Sequence, residues 1–403
     1  MGNEIMRKTS QLSNLYKRIR VTLLILFVYI LGSSIPLPYA HTSHQFTRLL
    51  HDTPMGITSF MSGANMQQLS LFMVGLNPMM IAMLLMQLLM MIRLFHFDTL
   101  SMSQIMYVQQ GLILVLAVIQ SAAMTVGLHL TDNPWTTASV IIILTTGSMF
   151  VTWLGFMNMQ FGIGGTVAII LFNIITSSIP TVLGALRSIN KLSHPTLILI
   201  AIVIFNILLM IFWLAFTKAY YPLKAVNILL DSHSKLVTTP LGLNMGAMMT
   251  YMVGMALLMM PLIFSSILGP HSLLARPGFD ALISGIMSFF LYYFFSFVQF
   301  SPYQQSRSFR NSNTYIPGLH PGKPTQKYLT RLMWIVCFPG ALLNSIQLTF
   351  GLMGQYFLGK YGGLSVIPMN VVMIVLIMNG VKDNLFTLTF PRKYERFSQR
   401  GDK

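Results

Sequence analysis

Long apolar stretches separated by short polar ones set the pattern of this 403-residue chain, and each apolar stretch has the length of a membrane crossing. About ten carry no charge: 21–36, 69–92, 108–128, 136–157, 166–186, 196–216, 245–269, 281–300, 332–352 and 364–378. A helix needs about 20 such residues to cross roughly 30 Å of hydrocarbon, so each is expected to be a transmembrane helix. The second is broken near its start. Ser62-Gly63-Ala64-Asn65 and Gln67-Gln68 interrupt the apolar run before a helix expected from Leu69, and they leave a short apolar piece, 55–61, standing apart. Lipid cannot satisfy the N–H and C=O groups of irregular backbone, so such a piece at membrane depth must be held in protein or line a water-filled cavity. Two readings stand for it: a half-segment inside a pore, or a surface loop that touches the membrane interface.

Composition narrows the class. With 54% hydrophobic and 8% charged residues and a mean hydropathy of +0.67, the chain reads as a polytopic membrane protein and not as a string of soluble domains. The first run ends in Ile35-Pro36-Leu37-Pro38 instead of a small-residue cleavage site, so it is expected to remain as the first span. Cys337 is the lone cysteine, which excludes an internal disulfide.

The formal net charge of +16 changes the picture through its placement. With the N-terminus inside, twenty of the 25 lysines and arginines fall on inner segments and five on outer ones. That is the positive-inside distribution with both termini cytoplasmic. It explains the basic excess without nucleic acid. Residues 1–20 alternate basic and apolar positions and read as an amphipathic segment on the inner membrane surface, leading into the first span.

Ionisable groups are almost absent from the spans, which argues against an ion-coupled carrier. The polar residues that do occur there, among them Gln87, Gln120, Asn173, Asn206 and Asn344, are expected to face other helices. His41, His44 and His51 lie in one polar outer stretch without a second ligand cluster, so no metal set is expected. Gly354 to Tyr361 imitates a phosphate loop but ends in Tyr361 where magnesium would need a Ser or Thr hydroxyl. No catalytic constellation and no cofactor motif emerges. Two inner connections, 217–244 and 301–331, leave the membrane for long polar excursions, and connections of that length usually dock a partner.

Several stretches resemble the SecY family of protein-conducting channels over nearly the whole chain. They are Gly32-Ser33-Ser34-Ile35-Pro36-Leu37-Pro38; Phe60-Met61-Ser62-Gly63-Ala64; Ser70-Leu71-Phe72; Gly75-Leu76-Asn77-Pro78; Gln87-Leu88-Leu89; Leu114-Val115-Leu116-Ala117 with Gln120-Ser121; Asn244-Met245; and Ile316-Pro317-Gly318 through Thr325, followed by Lys327-Tyr328 and Thr330-Arg331-Leu332. Each is weak alone, and their order and spacing make the set specific. The trimmed inner loops, the abundant methionine and His320, where the family usually has arginine between two Pro-Gly turns, resemble the accessory Sec paralogue of Gram-positive cocci, which is associated with export of serine-rich glycoprotein adhesins.

The resemblance implies an all-α membrane protein of about ten transmembrane helices in two pseudo-symmetric five-helix halves, 21–190 and 195–390, followed by a cytoplasmic tail, 391–403. The sequence alone shows no such repeat. It implies a plug at 54–64 that includes Met55, Gly56, Phe60, Ser62 and Gly63. Carrying over the family's positions gives a pore ring of Leu76, Met80, Val167, Leu171, Met249, Met252 and Ile367, and a lateral gate that includes Gln87 and Gln120. Partners implied are a SecA-type motor ATPase on Lys224, Lys235, Arg307, Arg310, His320, Lys323 and Lys327, small Sec-type membrane subunits or accessory Sec proteins, an unfolded polypeptide and membrane lipid. The location implied is the bacterial plasma membrane, and the chain itself would not be an enzyme. The rival readings are a small-molecule secondary transporter and a membrane scaffold without a pore.

Overall fold

A computed structural model of the chain describes residues 2–39, 70–92, 101–127, 130–131, 133–189, 195–227, 236–251, 279–358 and 363–389. The segment expected to form a plug, with Met55, Gly56, Phe60, Ser62 and Gly63, together with Met252, Lys235 and the tail, lies outside the described residues. In chain order the helices are α1 (Gly2–Ser34), α2 (Asn77–Ile92), α3 (Met102–Gly127), α4 (Pro134–Phe161), α5 (Gly165–Ile189) and α6 (Pro195–Lys218). Strands β1 (Tyr220–Asn227) and β2 (Leu236–Gly242) come next, then α7 (Ala247–Met249), α8 (Phe279–Gln299), α9 (Pro302–Asn311), β3 (Thr314–Tyr315), α10 (Lys323–Leu358) and α11 (Gly363–Thr389). Nine of the expected spans fall on helices, and the seventh is described only in its first turns. Six of the described helices are long and apolar enough to cross a membrane, and Asn77–Met90 and Gly165–Thr176 are shorter apolar helices. The protein is therefore a multi-pass, mostly helical membrane protein.

The chain forms two compact units, one of Met1–Pro180 with Ile377–Lys403 and one of Thr181–Leu376. In the first, α1 runs unbroken from the basic N-terminal segment into the first span; it and α3 pack on α4, and α2 packs on α3. The turn between α4 and α5 is built around Asn158, which is fully buried. Its Nδ2 donates to the carbonyls of Ile163 at 3.0 Å and Gly165 at 2.7 Å. Its Oδ1 accepts from Thr22 Oγ1 at 2.9 Å, and that oxygen in turn accepts the Ile163 N–H. Gly164 and Gly165 have φ of 77° and 55°, left-handed angles that a side chain would disfavour, so the chain can reverse within so few residues.

In the second unit α8 and α10 pack along their lengths, with α7 against both. Most of α6 is exposed: 6% of its apolar window is buried, the expected state of a helix facing lipid. The polar excursions, read from the sequence only as long connections, carry a small antiparallel sheet of order β2-β1-β3. Tyr220 pairs with Gly242 and Val226 with Leu236 at the two ends of the β1–β2 ladder, and Val226 also pairs with Tyr315 of β3. Leu223, Ala225 and Leu241 are buried on one face, while Tyr220, Pro222, Lys224, Thr238 and Pro240 are exposed on the other. The alternation follows from the two-residue period of a strand.

Candidate functional site: a broken span and a basic platform

The second span is broken later than its sequence indicates. Residues 70–76 are not helical, and α2 starts at Asn77, so the helix begins eight residues later than expected from Leu69. Neighbouring protein supplies the reason. Ser70 forms an isolated bridge with Pro36, the Leu71 N–H donates to the Ile35 carbonyl at 3.1 Å, and the Met73 N–H donates to the Ser70 carbonyl at 3.0 Å. Gly75 turns the chain with φ of 57°, and Ser148 Oγ on α4 donates to its carbonyl at 2.9 Å. A Cβ at Gly147 would collide with the Leu71 carbonyl, so that glycine is what lets α4 approach. The irregular backbone is thus paired inside the protein, as hydrocarbon requires.

Side chains complete the enclosure. The Phe72 ring lies over Gly32 and stacks between Tyr29, at 5.7 Å, and Phe150, at 6.0 Å. Met73 and Val74 join Leu37, Leu130, Val140 and Leu144 in a buried cluster. Leu76 and Met80, one turn apart, are 0% and 4% exposed within this unit. Val167 and Leu171 are half-buried and share a face of α5, being four residues apart. Met249 is half-buried at the described end of α7. Ile367, on α11, lines an apolar cavity of about 420 Å³ with Val182 and Leu186 of α5 and Asn206 and Met210 of α6. Gln87 and Gln120 are half-buried on α2 and α3, two helices packed on one another.

The polar platform belongs to the second unit. Helix α9 starts at a cap, Ser301, whose side chain accepts the Gln304 N–H, with Pro302 in the first turn. Its buried face carries Ser306 and Phe309, which leaves Arg307 and Arg310 exposed. Ile316-Pro317-Gly318-Leu319 then forms a type II turn: the Leu319 N–H donates to the Ile316 carbonyl at 3.1 Å, and Gly318 has the positive φ, 83°, that its third position needs. The next turn is fastened from three directions. Thr325 Oγ1 donates to the His320 carbonyl at 2.8 Å, Ser306 Oγ to the Gly322 carbonyl at 2.9 Å, and the Gln326 N–H to the same carbonyl at 3.0 Å.

His320, Lys323 and Lys327 are exposed around this fixed backbone, and Lys224 is exposed on β1. No Asp or Glu occurs anywhere in 301–331, so the surface is basic throughout that stretch. It can present cations to an acidic partner with little ordering of its own backbone.

Residues that pattern reading missed lie where the sheet joins the membrane helices. The Leu243 N–H donates to the Ala219 carbonyl at 3.0 Å, extending the hairpin by one rung. Tyr292 Oη on α8 donates to the Leu243 carbonyl at 2.7 Å, and Asn344 Nδ2 on α10 donates to Asn244 Oδ1 at 3.2 Å. Asn344 was visible as an amide inside an apolar run. Tyr292, in the aromatic string Phe289 to Phe295, carried no signal of its own.

Comparison with known proteins adds three findings. A family model described as SecY matches residues 70–378. The accessory Sec system protein translocase subunit SecY2 of Lactobacillus johnsonii is 44% identical over 385 residues, which cover 96% of this chain and 98% of that protein. A solved protein-conducting channel has a TM-score of 0.65 at 16% identity, and Sec61 in the canine ribosome-channel complex from the endoplasmic reticulum has 0.61 at 16%, each over 94% of both chains.

Proposed function

This chain belongs to the SecY family of protein-translocation channels, and we propose that it serves a restricted export route in which a SecA-type ATPase drives unfolded polypeptides, such as serine-rich glycoprotein adhesins, across the bacterial plasma membrane. The observation that carries the motor assignment is the platform. Its basic side chains stand on turns already fixed by hydrogen bonds, so a partner need not order them on binding. The name of the Lactobacillus relative, an accessory Sec system subunit, supports the restricted route. The family is one of protein-conducting channels and not of catalytic enzymes, which leaves the energy to be supplied by the motor.

In this reading both termini and the platform are cytoplasmic, in keeping with the distribution of basic residues. Leu76, Met80, Val167, Leu171, Met249, Met252 and Ile367 form the apolar constriction, because a ring of apolar side chains seals a pore by excluding water. Residues 54–64 form the plug, and Gln87 and Gln120 form part of the lateral gate. Small Sec-type or accessory membrane subunits complete the translocase.

Reconstitution tests the proposal. Vesicles containing the channel should take up an adhesin precursor only with the matched ATPase and ATP, should take up a general secretory precursor poorly, and should pass no small solute alone. Equal uptake of both precursors would remove the restricted route, and uptake without the ATPase would remove the motor.

A further inference from the structure

The four residues between the hairpin and α7 are tethered more tightly than a linker needs to be. Leu243 closes the last hairpin rung through its N–H, and its carbonyl accepts the Tyr292 hydroxyl, which also stands 3.5 Å from Asn244 Oδ1. Asn344 holds Asn244 and is itself held by a bond from its Nδ2 to the Gly340 carbonyl, at 2.7 Å, within α10. Two glycines permit the close approach: a Cβ at Gly340 would strike the Tyr292 hydroxyl and the Leu243 carbonyl, and one at Gly246 would strike Ser296 Oγ and the Tyr292 carbonyl. Helix α7 begins at the next residue, Ala247.

The tether is incompletely used. Among the described residues, Asn244 Nδ2 and Asn344 Oδ1 are buried and have no hydrogen-bond partner, and the same is true of Ser288 Oγ and Tyr251 Oη. Asn244 and Asn344 are 8% and 1% exposed, so water does not reach them freely from outside. Buried amides left half-bonded are uncommon because each unpaired group is costly. Here the spare donor and the spare acceptor belong to the two partners of one bond.

We propose that Tyr292 and Asn344 are positioning residues that make Leu243-Asn244 a stiff coupler, by which displacement of the β1–β2 hairpin reaches the first turn of α7 instead of being absorbed between them. This rests on the reading that a motor loads the platform, but the coupler can be tested without a motor. Tyr293→Phe provides the control, because Tyr293 Oη on the same helix donates to the Trp334 carbonyl of α10 at 3.0 Å and is not bonded to the junction.

In the full channel in nanodiscs, hydrogen exchange of the backbone amides of 243–251 should rise about fivefold in Tyr292→Phe and Asn344→Leu, as loss of one hydrogen bond allows, and should stay at the wild-type rate in Tyr293→Phe. With ATPase and precursor added, the first two variants should bind the motor as wild type does, yet move less polypeptide per ATP hydrolysed than Tyr293→Phe. Exchange at 243–251 that does not distinguish Tyr292→Phe from Tyr293→Phe would overturn the coupler whatever the motor does. Equal transport per ATP in those two variants would overturn it as well. Failure of the motor to bind wild-type channel through the platform would instead overturn the docking assignment and leave the exchange result to decide the coupler.

Discussion

Pro222 and Pro240 face each other on one rung of the β1–β2 hairpin. Neither can donate to the ladder, so that rung must be one where backbone groups point outward. The bond from the Leu243 N–H to the Ala219 carbonyl, three rungs away, fixes the same phase. Both prolines therefore lack an outward N–H: Pro240 on the outer side of β2, and Pro222 on the side of β1 that β3 pairs at Val226 and Asn227, which removes one donor for a further strand from each side. Thr239→Pro, on the neighbouring inward rung, should lose about 1 kcal/mol or more and should lower exchange protection across the hairpin, whereas Pro240→Ala should leave it unchanged. Similar loss in both variants would show that the register is different.

The buried amide of Asn158 should be among the side chains on which the first unit most depends. Asn158→Leu keeps the volume but leaves the Ile163 and Gly165 carbonyls without their donor. With each such bond worth about 0.6 to 2 kcal/mol inside a membrane protein, the expected loss is about 2 to 4 kcal/mol. Thr22→Val should lose about half as much. Thermal unfolding in detergent measures both, and an unshifted midpoint for Asn158→Leu would contradict the described turn.

The constriction is tested by ion leak. Serine at Leu76 and Met252 should admit water and raise the resting conductance of the channel in a planar bilayer. Leu76 is also fully buried in its unit, so Leu76→Ser needs a parallel stability measurement. A conductance that stays at the wild-type level in both variants would remove these positions from the ring.

Motor choice is tested at His320. The imidazole lacks the permanent charge and the two-pronged donor geometry of the arginine usual in the family. Its backbone is pinned by Thr325, so exchange of the side chain should leave the turn intact. His320→Arg should strengthen binding of a general SecA-type motor by about 1 to 3 kcal/mol if the new pair is desolvated, and should alter binding of the matched motor less. Unchanged affinity for both would place the discrimination elsewhere, in the β1–β2 hairpin first of all.

Much of the fold was legible because a membrane helix satisfies its own backbone. Whether residues 136–157 cross the bilayer depends on their own apolarity, and α4 covers them at Pro134–Phe161 with no partner needed to predict it. The Pro-Gly turns were legible for the same local reason: Pro317 and Gly318 carry the angles of a type II turn in their covalent structure.

The sequence by itself determined which apolar stretches become the described membrane helices and where the Pro-Gly turn at 316–319 falls, because each of these is decided within a few residues by hydrophobic length or backbone preference. Only the tertiary structure decided that the second span breaks at 70–76, because the groups that make that break tolerable lie 73 residues away at Ser148 and across a bridge at Pro36. It likewise decided that Leu236–Gly242, a segment interrupted by Pro240, becomes the partner of β1, and that Asn244 meets Asn344 across 100 residues. An amide in an apolar run announces that it needs a partner, but a hydrogen bond reaches only about 3 Å, and which residue comes within that distance is settled by how the helices pack.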